Sequence, residues 1–338
     1  MRVAVVTGPG ELDLRTEPTP VVGSDEVVVE VGATGLCTME RRLFLGIKKV
    51  YPVAPGHEVA GRVTEVGKAV AGLPGVPRIG DTVTVDLLTR CGACAACRRG
   101  RSALCKQPQG GRLSDGTLSF GAGLADYVVV KARQAYGTGA APIEHAAMGE
   151  PLACVAHSVR LGGLRAGDRV AVVGAGYMGR LHLALALHAG AARCGLIDVS
   201  AERLAEGREA GADWAAAPQE ALEVGGKQDL VFVTAGAPGV VETALEICDD
   251  GGTIVLYGAF PKDVDTVLSP DYLHHHELTL LGAYSQEPED WERAAALIAS
   301  GRLTEDLDAL VTARFPLEEV GKAFDLAANS PVYRVLVG

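Results

Sequence analysis

Arg169-Val170-Ala171-Val172-Val173-Gly174-Ala175-Gly176-Tyr177-Met178-Gly179 is the stretch that decides the fold of this chain. After Arg169 the run is continuously apolar and rich in valine, the pattern of a strand buried on both faces. A Gly-x-Gly-x-x-Gly follows at once, and the apolar segment through His188 reads as a helix. Such a glycine pattern is common by chance, but between a buried strand and a helix it has a mechanism. The glycines permit the tight turn, let the backbone approach a pyrophosphate, and leave that pyrophosphate at a helix N-terminus. The expected nucleotide-binding set is therefore Gly174, Gly176, Tyr177, Met178 and Gly179. Asp198 ends a second short strand, Cys194-Gly195-Leu196-Ile197-Asp198. A carboxylate there accepts from both ribose hydroxyls and repels a 2′-phosphate, so NAD is expected over NADP. Arg203, in the charged helix that starts at Ala201, blurs that preference.

Working outward, strands and helices keep alternating. Asp229–Val233 and Thr253–Tyr257 read as strands, Val240–Ile247 as the helix between them, and Leu278–Leu281 as a last strand. This alternation means a doubly wound parallel sheet. Upstream the chain is β-rich instead. Val27–Val31, Gly56–Gly67, Asp81–Val85 and Tyr127–Val130 are short runs bounded by Gly, Pro and Asp. At the far end, helices at Trp291–Ala299 and Phe324–Ala328 precede a strand at Tyr333–Val337.

The 338 residues suggest two domains. A hydrophobic fraction of 48% with 22% charged residues excludes wholesale disorder. A formal net charge of −11 argues against generic nucleic-acid binding, which needs a positive surface. No apolar run is long enough for a membrane span, and the first glycine after Met1 comes too soon for a signal peptide. A cytoplasmic protein is expected.

Four of the eight cysteines are bunched as Cys91, Cys94, Cys97 and Cys105. Cysteines spaced by three are poor disulfide partners, whereas four thiolates on a Gly/Ala-rich loop suit a closed tetrahedral Zn²⁺. Arg98, Arg99, Arg101 and Lys106 offset its charge, or form a solvated loop face. An iron–sulfur cluster also takes four cysteines, but with other spacings. Cys37, His57, Glu58 and Glu150 form a second set, the mixed sulfur, nitrogen and oxygen ligands of a catalytic zinc that keeps one position open.

Gly35-Leu36-Cys37, the Gly56-His57-Glu58 stretch through Gly67, the four-cysteine lobe, Glu150-Pro151-Leu152 and the Gly174–Gly179 loop together resemble the zinc-dependent medium-chain dehydrogenase/reductase family. The likeness covers nearly the whole chain. Glu150-Pro151-Leu152 is similar to the polyol (sorbitol-type) and threonine dehydrogenase branch. The resemblance implies an α/β chain with a GroES-like β-rich catalytic domain at 1–148 and 284–338, carrying a zinc lobe at about 90–106. A Rossmann domain at 149–283 interrupts it. It further implies two zinc ions per chain, NAD, a small alcohol or ketone substrate, no nucleic-acid or membrane partner, and a homodimer or homotetramer paired through the edge at Leu278–Gly282.

The sequence also departs from that family. Met39 stands where many relatives carry a proton-relaying Ser or Thr, and Arg42 stands where histidine is frequent. Thr38 and Arg42 are the remaining polar candidates at the relay, Arg42 facing either the substrate cleft or solvent. Glu40 reads as mainly structural. His274-His275-His276 reads as surface, Cys194 and Cys248 as packing, and Cys154 with His157 as lining the helix that borders the nicotinamide, with no sequence support for Cys154 as a nucleophile. The expected function is oxidation of a secondary alcohol of a polyol, cyclitol or amino-alcohol, or the reverse. The alternatives are altered chemistry, because the relay positions are changed, and a non-catalytic NAD-binding protein.

Overall fold

The computed structural model describes residues 1–106, 111–262 and 264–338. It divides into two compact units, Met1–Ala153 with Gln286–Gly338, and Cys154–Ser285. The sequence placed the boundaries a few residues earlier. The first true boundary lies inside the helix Gly149–Gly162, where no change of composition marks it.

The first unit is built on a seven-stranded sheet. Its long central strand, Glu26–Leu36, pairs antiparallel with Glu58–Val66, which pairs antiparallel in turn with Thr82–Val85. Val27 and Val29 from one strand, and Val59 and Val63 from the next, share a buried cluster. The register sets Gly35 opposite Glu58. The residues just beyond the two strands, Cys37 and His57, are thereby brought side by side. A Cβ on Gly35 would lie 2.2 Å from a Glu58 carboxylate oxygen, so a larger residue here would displace that side chain. The C-terminal strand Arg334–Val337 joins the other side of Glu26–Leu36, setting Val335 opposite Leu36. Helix Val320–Asn329 packs Phe324 on Phe44 of helix Thr38–Phe44, with ring centroids 5.2 Å apart.

The second unit is a six-stranded, all-parallel sheet. In space its strands run Trp214–Ala216, Arg193–Ile197, Arg169–Val173, Gln228–Val233, Cys248–Leu256 and Thr279–Gly282. Numbered along the chain, that is the 3-2-1-4-5-6 order of a Rossmann sheet. Val170 and Val172 enter one apolar cluster and Ala171 and Val173 another, so the quoted strand is covered on both faces. In this sheet Trp214–Ala216 is the strand that sequence reading missed. Three residues with two alanines carry almost no strand signal, and only pairing with Gly195–Ile197 defines them.

Candidate active site, cysteine lobe and nucleotide loop

Cys37 leaves the central strand and caps helix Thr38–Phe44. Its Sγ accepts from the Met39 N–H at 3.1 Å, and its own N–H donates to Glu40 Oε2 at 3.2 Å. This reciprocal cap fixes the sulfur and buries Glu40 completely. The other Glu40 oxygen, Oε1, accepts from Gly56 N–H at 3.2 Å and from His57 Nδ1 at 2.9 Å. Nε2 faces Cys37 Sγ across 3.4 Å, and with Nδ1 carrying the proton shared with Glu40 a neutral ring offers its Nε2 lone pair on that side. Glu40 is therefore more than the structural residue its sequence position suggested. The signal that could have found it is the capping-box spacing of three from Cys37.

The charges here oppose one another. Burial alone pushes the Glu40 carboxyl up, yet the charge and hydrogen bond of His57, together with the Cys37 side chain, outweigh it and hold Glu40 at about 2. Burial and the Glu40 carboxylate push the Cys37 thiol up to about 12. For His57, burial acts downward, but Glu40 and Cys37 raise it well above the ordinary value.

Glu58 and Glu150 are both buried. One donor atom from each of His57, Glu58 and Glu150 lies within 4.8 Å of the others, and Cys37, Glu40 and His57 meet the same limit. The four sequence candidates thus form two groups that share His57. Burial raises the Glu58 carboxyl to about 7, against the pull of Arg334, whose Nε lies 3.1 Å from Glu58 Oε2. Gln286, fully buried, donates from Nε2 to Glu150 Oε1 at 3.3 Å. Arg334 and Gln286 were not singled out in the sequence, where nothing marks them. Thr38 and Arg42 are exposed.

The donors fit a metal ion. A tetrahedral zinc with sulfur at about 2.3 Å and imidazole nitrogen at about 2.05 Å sets those two ligands roughly 3.5 Å apart, close to the observed Cys37–His57 separation. The cysteine lobe fits as well. Its four Sγ atoms lie within 4.8 Å of one another, with contacts of 3.5 Å between Cys94 and Cys97, 3.6 Å between Cys105 and Cys91, and 3.9 Å between Cys91 and Cys97. Four sulfurs around one zinc stand about 3.8 Å apart. None of the four is in a disulfide. Glu287, buried at the start of helix Pro288–Ala299, accepts from Ser102 N–H at 2.9 Å and Ala103 N–H at 2.8 Å, and so ties the lobe down.

In the second unit, Gly174–Gly179 turns from strand Arg169–Val173 into helix Tyr177–His188. A Cβ on Gly179 would lie 1.7 Å from the Gly174 carbonyl oxygen, so only glycine permits this close approach. Asp198 accepts from Ala175 N–H of the loop at 2.7 Å and from Ser200 N–H at 2.9 Å. Arg203 Nη1 lies 3.8 Å from where a Gly176 Cβ would stand, so its guanidinium also reaches the loop. His275 and His276 instead bind local oxygens, of Asp271 and Asp250, and no ligand group among the described residues includes the His274–His276 run.

Residues 23–140 match the family described as alcohol dehydrogenase GroES-like domain, and residues 178–300 match zinc-binding dehydrogenase. D-altritol 5-dehydrogenase of Agrobacterium fabrum is 32% identical over 95% of this chain and 94% of its own length. The chain belongs to the zinc-binding alcohol dehydrogenase family. A Sinorhizobium meliloti dehydrogenase described only as zinc-binding, solved with NADP, is 31% identical with a TM-score of 0.86, covering 99% of this chain and 98% of that one. Galactitol-1-phosphate dehydrogenase of Escherichia coli is 28% identical at a TM-score of 0.86, covering 100% and 99%. Both expected domain types, GroES-like and Rossmann, are present. The named relatives come from the polyol branch that Glu150-Pro151-Leu152 suggested. The chain is an oxidoreductase of this family, and no helix among its described residues is long and apolar enough to cross a membrane.

Proposed function

We propose that this chain is a zinc-dependent, NAD-linked dehydrogenase that interconverts the secondary alcohol of a polyol, cyclitol or amino-alcohol and its ketone. The observation that carries the reading is the Cys37 Sγ–His57 Nε2 pair, 3.4 Å apart, with His57 Nδ1 engaged by Glu40. A non-catalytic binding protein has no use for a mixed donor set of this kind. Cys37, His57 and Glu150 are assigned to the catalytic zinc, with Glu58 beside them and held by Arg334. Cys91, Cys94, Cys97 and Cys105 are assigned to the structural zinc. A zinc ion held in the first set supplies Lewis acidity toward an alcohol oxygen, lowering the pKa of its proton.

The chain's own residues do the rest. Glu40 fixes the His57 tautomer, and Gln286 orients Glu150. Gly174, Gly176, Tyr177, Met178 and Gly179 form the cradle for a pyrophosphate at the start of a twelve-residue helix. Asp198 receives the ribose hydroxyls, which favours NAD, while Arg203 beside Gly176 gives a 2′-phosphate a partner and so moderates that preference. Met39 offers no hydroxyl, so the alcohol proton leaves by a route other than the family's usual relay. Thr38 and Arg42 are the polar candidates for that route, and an Arg42→Ala enzyme with unchanged kcat/KM assigns that charge to solvent. A cytoplasmic homodimer or homotetramer belongs to the same reading, since strand Thr279–Gly282 forms an edge of its sheet.

The test combines zinc content with growth of reduced-nicotinamide absorbance over a panel of polyols, cyclitols and amino-alcohols. Two zinc ions per chain and alcohol-dependent reduction support the reading; one zinc and no turnover across the panel overturn it.

A further inference from the structure

The segment Arg41–His57 contains four Lys and Arg residues and no Asp or Glu, in a chain whose formal net charge is −11. Of these cations Lys48 has the unusual setting. Its backbone N–H donates to the Arg42 carbonyl at 3.0 Å, which anchors the turn after helix Thr38–Phe44. Its ammonium rests 3.2 Å from Met39 Sδ and 4.6 Å from the centre of the Phe120 ring. Among the described residues no carboxylate pairs with it. An ammonium has three donors, a thioether is a weak acceptor, and an aromatic face takes up charge without accepting a conventional hydrogen bond. Lys48 thus keeps donors available, on an apolar backing that strengthens any charge pairing it makes.

Its place relative to the metal donors is bounded by covalent geometry. Met39 N lies 3.1 Å from Cys37 Sγ, and Met39 Sδ lies 3.2 Å from the ammonium. Bond lengths along the methionine then hold the Lys48 nitrogen within roughly 12 Å of the Cys37 sulfur. A sugar-alcohol chain whose reacting carbon sits at Cys37 reaches that far with its distal end. Arg42, the residue suggested by sequence for reading a polar or anionic substrate, is exposed and lacks this backing.

We infer that Lys48 makes this site select polyols that carry an anionic group, a phosphate ester or a carboxylate, remote from the carbon oxidised. The inference rests on the dehydrogenase reading above and names its substrate class. An acidic protein gains from a local cation here, because long-range repulsion opposes the approach of an anion.

The experiment compares a hexitol, its terminal phosphate ester and its aldonate as substrates of the full-length, zinc-loaded enzyme. Wild type is expected to show kcat/KM at least about tenfold higher for one of the anions than for the hexitol, mostly through KM. The preferred arm identifies phosphate or carboxylate. Lys48→Gln should shrink that ratio about tenfold and Lys48→Arg should restore most of it, as charge-assisted contacts do. A second measurement needs no variant: added salt should raise KM for the preferred anion and leave that of the hexitol nearly constant. A ratio unmoved by Lys48→Gln overturns the inference, as does wild-type turnover without anion preference or salt response. Failure to turn over all three, on an otherwise complete panel of alcohols, overturns the dehydrogenase reading itself and the inference with it.

Discussion

Glu40 Oε1 lies 2.9 Å from His57 Nδ1 and accepts its N–H, so a neutral His57 turns an unprotonated Nε2 toward Cys37. A carboxylate behind a metal-binding imidazole orients the ring and raises its basicity. Glu40→Ala should lower both zinc affinity at the Cys37 site and kcat/KM by about 10- to 100-fold. The cysteine lobe should keep its metal, so metal analysis of the variant should fall toward one zinc per chain while Glu40→Asp recovers part of the loss.

The two sulfur sites should fail differently. Cys37→Ser should abolish turnover with the fold intact, because the proposed ligand Cys37 sits at the end of a strand already paired on both sides. Cys94→Ser should instead cost stability first, since the half-exposed lobe has little apolar core of its own and leans on its metal. Thermal unfolding with and without a chelator separates them: a chelator-sensitive drop in Tm for Cys94→Ser, and a near-native Tm for Cys37→Ser.

Asp198 and Arg203 meet at one loop, and their charges act in opposite directions on a 2′-phosphate. Asp198→Ala should reduce kcat/KM for NAD and raise it for NADP, moving the NAD/NADP ratio by at least about tenfold. Arg203→Ala should move the same ratio the other way. Steady-state kinetics with both nucleotides at one ionic strength reads the result; a ratio that neither substitution changes removes both residues from ribose recognition.

His182 is fully buried in helix Tyr177–His188, with Nδ1 donating to the Met178 carbonyl at 2.8 Å and Nε2 3.0 Å from Ser158 Oγ. Burial lowers it from 6.5 to about 4. A depressed histidine binds its proton more readily when unfolded, so its stabilising effect is complete above pH 6.5 and is lost as pH falls toward 4. The loss should reach on the order of 2–3 kcal/mol by pH 4. His182→Gln should flatten the fall of unfolding free energy across that window; an unchanged slope assigns the acid sensitivity elsewhere.

Much of this protein was open to reading along the chain. The run Arg169–Gly179 named the nucleotide fold because a parallel strand, a phosphate turn and a helix start are local events, set by neighbours in sequence. The clustering of the four cysteines was legible for the same reason, their sulfurs falling within one short loop. Cys37, His57, Glu58 and Glu150 were legible as residue types in a family-like order.

What connects those residues was not. His57 meets Glu40 only because Glu26–Leu36 and Glu58–Val66 pair in one register, and Arg334 meets Glu58 only because the last strand returns to the same sheet. Gln286 reaches Glu150 from the far end of the chain, Trp214–Ala216 becomes a strand only by pairing, and Lys48 finds Met39 and Phe120 by packing. By itself the sequence determined which donors and which loop this protein has. The tertiary structure decided which carboxylate serves which donor, because register and packing act over distances that no local pattern records.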